Sequence, residues 1–258
     1  MIFLTTQPLW LAGFCLVVLP TLLCMAGPIV IRRYVALDQL RTNNEVAGFT
    51  FATVGVLYAV LLAFAVIVVW EKFSESENTV AQEAGAAASL YRLADGIGRP
   101  PGATLHDRLT AYLNGAINEE WPAMAHGAAS PAVTLALNDL YQPILAFSPV
   151  DARDSELLSE TVRQLDLLTQ SRRARLVVAS GIVPGVLWIV LFGGAIVTIG
   201  FTFFFGTRNV LAQALMTGAL SLLIWSGLLI IVAIDHPFAG SIRVSPEALA
   251  AVVEDFSK

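Results

Sequence analysis

The chain has 258 residues; 56% are hydrophobic, only 14% are charged, and the net charge is -5, with a mean hydropathy of +0.71. Soluble domains carry about a quarter charged residues, so this composition points to a chain for which lipid is one of the solvents. The acidic balance, without a basic patch interleaved with aromatics, excludes a nucleic-acid partner.

Four apolar stretches are long enough to cross a bilayer, and none contains Asp, Glu, Lys or Arg. The first runs from about residue 8 to 31 and ends at Arg32-Arg33. No basic region precedes it, so it reads as a retained span rather than a cleaved leader. Cys15 and Cys24 both lie on it, about 13 Å apart along a helix and too far apart to bridge. The second stretch, about 46 to 70, carries Gly48, Ala52, Gly55, Ala59 and Ala63 at spacings of four, three, four and four. That spacing puts a seam of small residues on one helix face, suited to close helix packing. Thr53, Leu57, Val60 and Phe64 lie on the opposite face, and Asn43, Asn44 and Glu45 stand at the mouth of the span.

Residues 71–175 form a polar insert with helical periodicity throughout. Ser74 and Glu77 read as a capping box that starts a helix. Val80, Ala84, Ala87, Leu90, Tyr91 and Ala94 carry that helix to a break at Gly98-Arg99-Pro100-Pro101-Gly102. A second helix bears Leu105, Leu109, Leu113 and Ile117 and stops near Trp121-Pro122, where Glu119-Glu120 reads as a solvated end. A short third helix centres on Leu137 and Leu140 and ends before Pro143. A fourth starts after Asp151 and continues through Arg172-Arg173-Ala174-Arg175 into the third span, those arginines reading as an interfacial stop or lipid anchor. The third and fourth spans cover about 176–205 and 210–234, and residues 235–258 form a turn and tail. The expected class is therefore an all-α integral membrane protein with four transmembrane helices, paired as 1–70 and 176–234 around the insert.

Four spans place the N-terminus, the insert and the tail on one side. The insert holds nine of the fifteen Lys and Arg residues and the tail two, which favours the cytoplasm. Arg32, Arg33 and Arg41 in the first short loop pull the other way. The expectation is a bacterial inner membrane protein with the insert and both termini cytoplasmic.

His106, His126 and His236 are isolated, and no metal, nucleotide or nucleophile motif is present. The sequence points to no enzyme, cofactor or metal. The spans also lack the internal charges that pumps use.

Asn44-Glu45-Val46-Ala47-Gly48-Phe49, the run Gly55 to Phe64, Trp70-Glu71, Glu83-Ala84, Leu90-Tyr91-Arg92, Glu120-Trp121-Pro122 and the segment from Asp235 to Pro246 resemble a family of bacterial and plant membrane proteins described as bestrophin-like. More distantly the chain is similar to the true bestrophins, pentameric anion channels with four membrane-spanning regions whose second span lines the pore. That resemblance implies a homo-oligomer of five copies passing small anions. It implies a pore neck at Leu57, Val60 and Phe64, with Thr53 where a bulky group is expected. It also marks Asp235, Pro237, Phe238 and Gly240 as a loosened form of the turn after the last span. Calcium-gated bestrophins follow that turn with an acidic cluster, whereas Ser241-Ile242-Arg243 stands here, so calcium gating is not expected. The competing expectation is a non-conducting scaffold or sensor whose insert binds a protein partner.

Overall fold

The structure is a computed structural model that describes residues 8–42, 44–98 and 100–256. Among these residues it contains helices and no strands. The first is α1, Leu9–Tyr34, with a π-helical turn at Phe14–Val18. It is followed by α2, Leu37–Thr42, and α3, Asn44–Ile97. Then come α4, Pro101–Gly115, which continues through Met124, α5, Pro131–Leu145, and α6, Ala152–Ala179. The chain finishes with α7, Gly185–Phe204, α8, Val210–Ile234, and α9, Glu247–Phe256. Helices α1, α3, α7 and α8 are long and apolar enough to cross a membrane. The chain divides into two compact units, residues 1–71 with 183–235, and residues 72–182 with 236–258.

In the apolar unit α8 is central: half of its most apolar stretch is buried, against 11% for α3. Glycines let side chains reach the neighbouring backbone. Met25 of α1 packs on Gly218 of α8, Leu62 of α3 on Gly227, and Phe203 on Gly27. The Tyr58 ring lies on Gly194 of α7, and its hydroxyl donates to the Leu191 carbonyl at 3.0 Å.

In the second unit Leu90 of α3, Leu105, Leu109 and Leu113 of α4, Leu140 of α5 and Leu168 of α6 are fully buried. These are the apolar positions expected from helical spacing. Asp151 caps α6 by accepting from the Asp154 N–H at 2.8 Å. Gly98 takes a positive φ of 80° at the expected break between α3 and α4.

The helix boundaries differ from expectation in three places. No helix starts at Ser74, because α3 runs unbroken from Asn44 to Ile97; an interior residue with a backbone partner one turn back needs no cap. Pro143 lies inside α5 rather than beyond it. The run expected to pass from the insert straight into the third span breaks after Ala179, where Gly181 adopts a φ of 110°, and α7 starts at Gly185 after Pro184.

Candidate functional site

Helix α3 is the outer helix of the apolar unit, and its two predicted faces have different surroundings. Leu57, Val60 and Phe64 are 68%, 50% and 64% exposed, one turn apart on a face that the described residues leave largely open. Thr53 is exposed beside them and returns its hydroxyl to the Phe49 carbonyl at 3.2 Å. This satisfies the donor within the helix and leaves the face without an unpaired polar group.

The small-residue seam borders an open groove. Gly55, Ala59 and Ala63 line a cavity of about 550 Å³ together with Tyr58, Thr198 and Gly227. A side chain added at Gly55 would meet nothing within 4 Å. Ala52 is exposed, and Gly48 approaches only Phe205, at 3.9 Å. Within one chain, close packing is therefore made by Gly194, Gly218 and Gly227, while the middle of the seam stays open.

At the mouth of α3, Asn44 grips the backbone after α7. Its Nδ2 donates to the Gly206 carbonyl at 3.0 Å, and its Oδ1 accepts from the Gly206 N–H at 2.8 Å. Glu45 is exposed, and Asn43 lies outside the described residues. A cavity of about 390 Å³ adjoins Asn44, Phe51, Phe205 and Gln213. Gln213 spends its amide on the Thr202 and Phe205 carbonyls, at 3.3 and 2.6 Å, so its donors are turned away from any guest.

The expected post-span turn is buried. Asp235 accepts from the Val183 N–H at 2.8 Å. The Val244 N–H donates to the Pro237 carbonyl at 2.7 Å, and Gly240 has a φ of 81°. Phe238 meets Trp121 edge-on, with ring centroids 5.6 Å apart, and Trp121 Nε1 donates to the Val244 carbonyl at 3.1 Å.

Trp121 adjoins a charge network that overturns two sequence readings. Glu120 is fully buried on a π-helical turn, Ala116–Glu120, instead of forming a solvated end. Arg172 and Arg175 are buried rather than interfacial, while Arg173 between them is exposed. Arg172 donates from Nε and Nη2 to Glu120, at 3.0 and 2.5 Å, and from Nη2 to Thr134 at 2.9 Å. Arg175 donates to both oxygens of Glu83, at 2.7 and 2.9 Å, and to Glu120 at 3.0 Å. Its guanidinium carbon lies 4.7 Å from the centre of the Trp121 ring. Tyr112 donates to Glu83 at 2.6 Å. Two carboxylates and two guanidiniums cancel, so the cluster can exist without water. Burial pushes the Tyr112 phenol well above its ordinary range, and the Glu83 charge adds to that. Burial alone would lower the Arg175 affinity for its proton, but the Glu83 charge and hydrogen bonds outweigh it and the net shift is upward.

A family model for the Bestrophin-like domain matches residues 18–249. The chain belongs to the Bestrophin-like domain family. Its fold is similar to crystal structures of a bacterial bestrophin homologue from Klebsiella pneumoniae. A point-substituted form of that homologue superposes with a TM-score of 0.71 at 13% identity, covering 93% of this chain and 99% of the other. A second crystal structure of the homologue gives 0.67 at 16% identity, covering 93% and 95%. A search of curated protein sequences finds no match. The bestrophin-like resemblance drawn from Asn44 to Phe64 and from Asp235 to Pro246 is thus confirmed at the level of family and fold. The charge network was missed as such, although Glu83 and Glu120 both lie in segments that carried the resemblance.

Proposed function

We propose that this bestrophin-like protein assembles as a homo-oligomer, of five copies, and conducts small anions along an axis lined by α3. The observation that carries the proposal is the face formed by Thr53, Leu57, Val60 and Phe64. It is uncharged, exposed in the single chain and repeated turn by turn, on the span that the family resemblance assigns to the pore. Rings of Leu57, Val60 and Phe64 from several copies would make an apolar constriction that opens by wetting. The mouth residues Asn44 and Glu45 stand at one end of this face. In this reading the open groove along Gly55, Ala59 and Ala63 receives a neighbouring copy, since small residues permit close approach. The insert and both termini face the cytoplasm of a bacterial inner membrane. Anion preference rests on the resemblance, because the face carries no charge of either sign. Recording from purified protein in planar bilayers, with Leu57→Ala and Phe64→Ala as probes of the constriction, tests the proposal.

A further inference from the structure

Arg32 lies near the end of α1, on the face that packs against α8. It continues the row Thr21, Met25 and Pro28 at helical spacing, and of these Met25 contacts Gly218 while Pro28 is buried. Helices α1 and α8 run antiparallel: Gly13 adjoins Leu229, and Met25 adjoins Gly218. Each residue gained along α1 is matched by one lost along α8. Arg32, seven residues beyond Met25, is therefore level with residues 210–211, the first turn of α8. That turn offers the positive end of a 25-residue helix.

The Nε and Nη2 atoms of Arg32 are buried, and among the described residues no group accepts from either. These two N–H groups form the edge that makes paired bonds to a carboxylate or phosphate. The same chain uses that edge twice on carboxylates, Arg172 on Glu120 and Arg175 on Glu83. Near Arg32 the carboxylates in sequence are Asp38 and Glu45, and neither forms an ion pair with it among the described residues. Arg32 is partly exposed as a residue, but two buried N–H groups without an acceptor are costly, so an external anion is called for.

Depth selects the anion. Leu22, Leu23, Ile29 and Val30 on α1 are about half exposed or more, and Tyr34 just beyond is 85% exposed. Arg32 thus sits where hydrocarbon gives way to headgroups. Arg41 packs its side chain on Gly206, and Arg208 follows two residues later, adding positive charge at the same end of the unit. We propose that Arg32, together with the first turn of α8, seats the phosphate of a phospholipid. The lipid would come from the leaflet bordering the α1–α3 and α7–α8 connections. This seat is independent of conduction, because it lies on α1 and α8 rather than on the exposed face of α3.

The test uses purified full-length protein, delipidated in an uncharged detergent, with phosphatidylglycerol as probe and native mass spectrometry and thermal melting as readouts. Wild type should retain the lipid and melt at a higher temperature with it. Diacylglycerol, which lacks the phosphate, should do neither. Arg32→Gln should bind at least about tenfold more weakly, the loss expected when a charge-assisted pair disappears. Arg32→Lys, keeping charge without the fork, should fall between, and Arg33→Gln, altering an exposed neighbour, should match wild type. Equal protection by inorganic phosphate would overturn the lipid in favour of a free anion. Equal lipid binding by Arg32→Gln, or by diacylglycerol on wild type, would overturn the seat. A change of oligomeric mass in Arg32→Gln with lipid binding intact would assign the fork to a carboxylate of a second copy instead.

Discussion

Arg175 holds Glu83 through both carboxylate oxygens, at 2.7 and 2.9 Å, and neither side chain is exposed. The pair joins α6 to α3 across 92 residues of sequence. With Glu120 and Arg172 it fixes three helices of the extramembrane unit to one geometry.

Removing one partner leaves the other charged and buried. Glu83→Gln or Arg175→Met should lower stability by about 3–5 kcal/mol, whereas the double change Glu83→Leu with Arg175→Met should recover a large part of the loss. Thermal melts of the solubilised variants check this. Equal destabilisation by the single and double changes would show that the pair does not act as a unit.

Tyr112 gives the network a pH dependence of known sign. Its folded pKa is raised above the ordinary value of 10.0. Its contribution is therefore complete below pH 10 and is lost as pH rises beyond, where the unfolded chain releases the proton first. Melting temperature should fall with pH above about 10, and Tyr112→Phe should flatten that limb. The same variant should also lose about 1.5–3 kcal/mol at neutral pH, because the bond to Glu83 disappears. An alkaline limb unchanged in Tyr112→Phe would assign it to other groups.

Glycines of the apolar unit should divide into two classes. Gly194 lies under the Tyr58 ring, with 2.5 Å from its missing Cβ to the nearest ring carbon, whereas Gly55 has open space. Gly194→Ala should therefore destabilise the chain by about 1–3 kcal/mol through overpacking, while Gly55→Ala should leave it within about 0.5 kcal/mol of wild type. Gly55→Leu should act on assembly instead, reducing the oligomer on gel filtration while the helical content persists. An undiminished oligomer would show that the groove meets lipid.

Orientation is open to direct labelling. Ser159, Ser241 and Thr42 are all exposed. In the proposed arrangement, cysteines at Ser159 and Ser241 should react from the cytoplasmic side only, and a cysteine at Thr42 from the opposite side only. Labelling of Ser159 and Ser241 from different sides would contradict four spans.

Much of this architecture can be read from spacing alone. Charge-free stretches identify the spans, because no folded alternative tolerates such runs in water. Leu105, Leu109 and Leu113 fall on one buried stripe as their three-to-four spacing requires. The charge network escapes such a reading because composition treats Arg as a surface residue. Its signal lies in phase: Leu165, Leu168, Arg172 and Arg175 share one face, and Glu83 falls on the same stripe as Val80 and Ala87. Glu120 is harder to place, since the π-helical turn that carries it shifts the register by a residue. The break at 180–184 is visible as Gly181, Pro184 and Gly185, but an apolar run on either side disguises it as one long helix. In the proposed assembly the α3 face meets other copies of the chain, and no periodicity within one copy encodes such a contact.

The central claim is that this face lines a conducting path, and the most direct measurement is current through purified protein in planar bilayers under a chloride gradient. Currents should reverse near the chloride potential. Leu57→Ala or Phe64→Ala, by shrinking the apolar ring, should raise conductance or open probability. Silence of well-folded wild type and both variants across a wide voltage range would contradict the claim, leaving a membrane scaffold whose partner engages the helical insert.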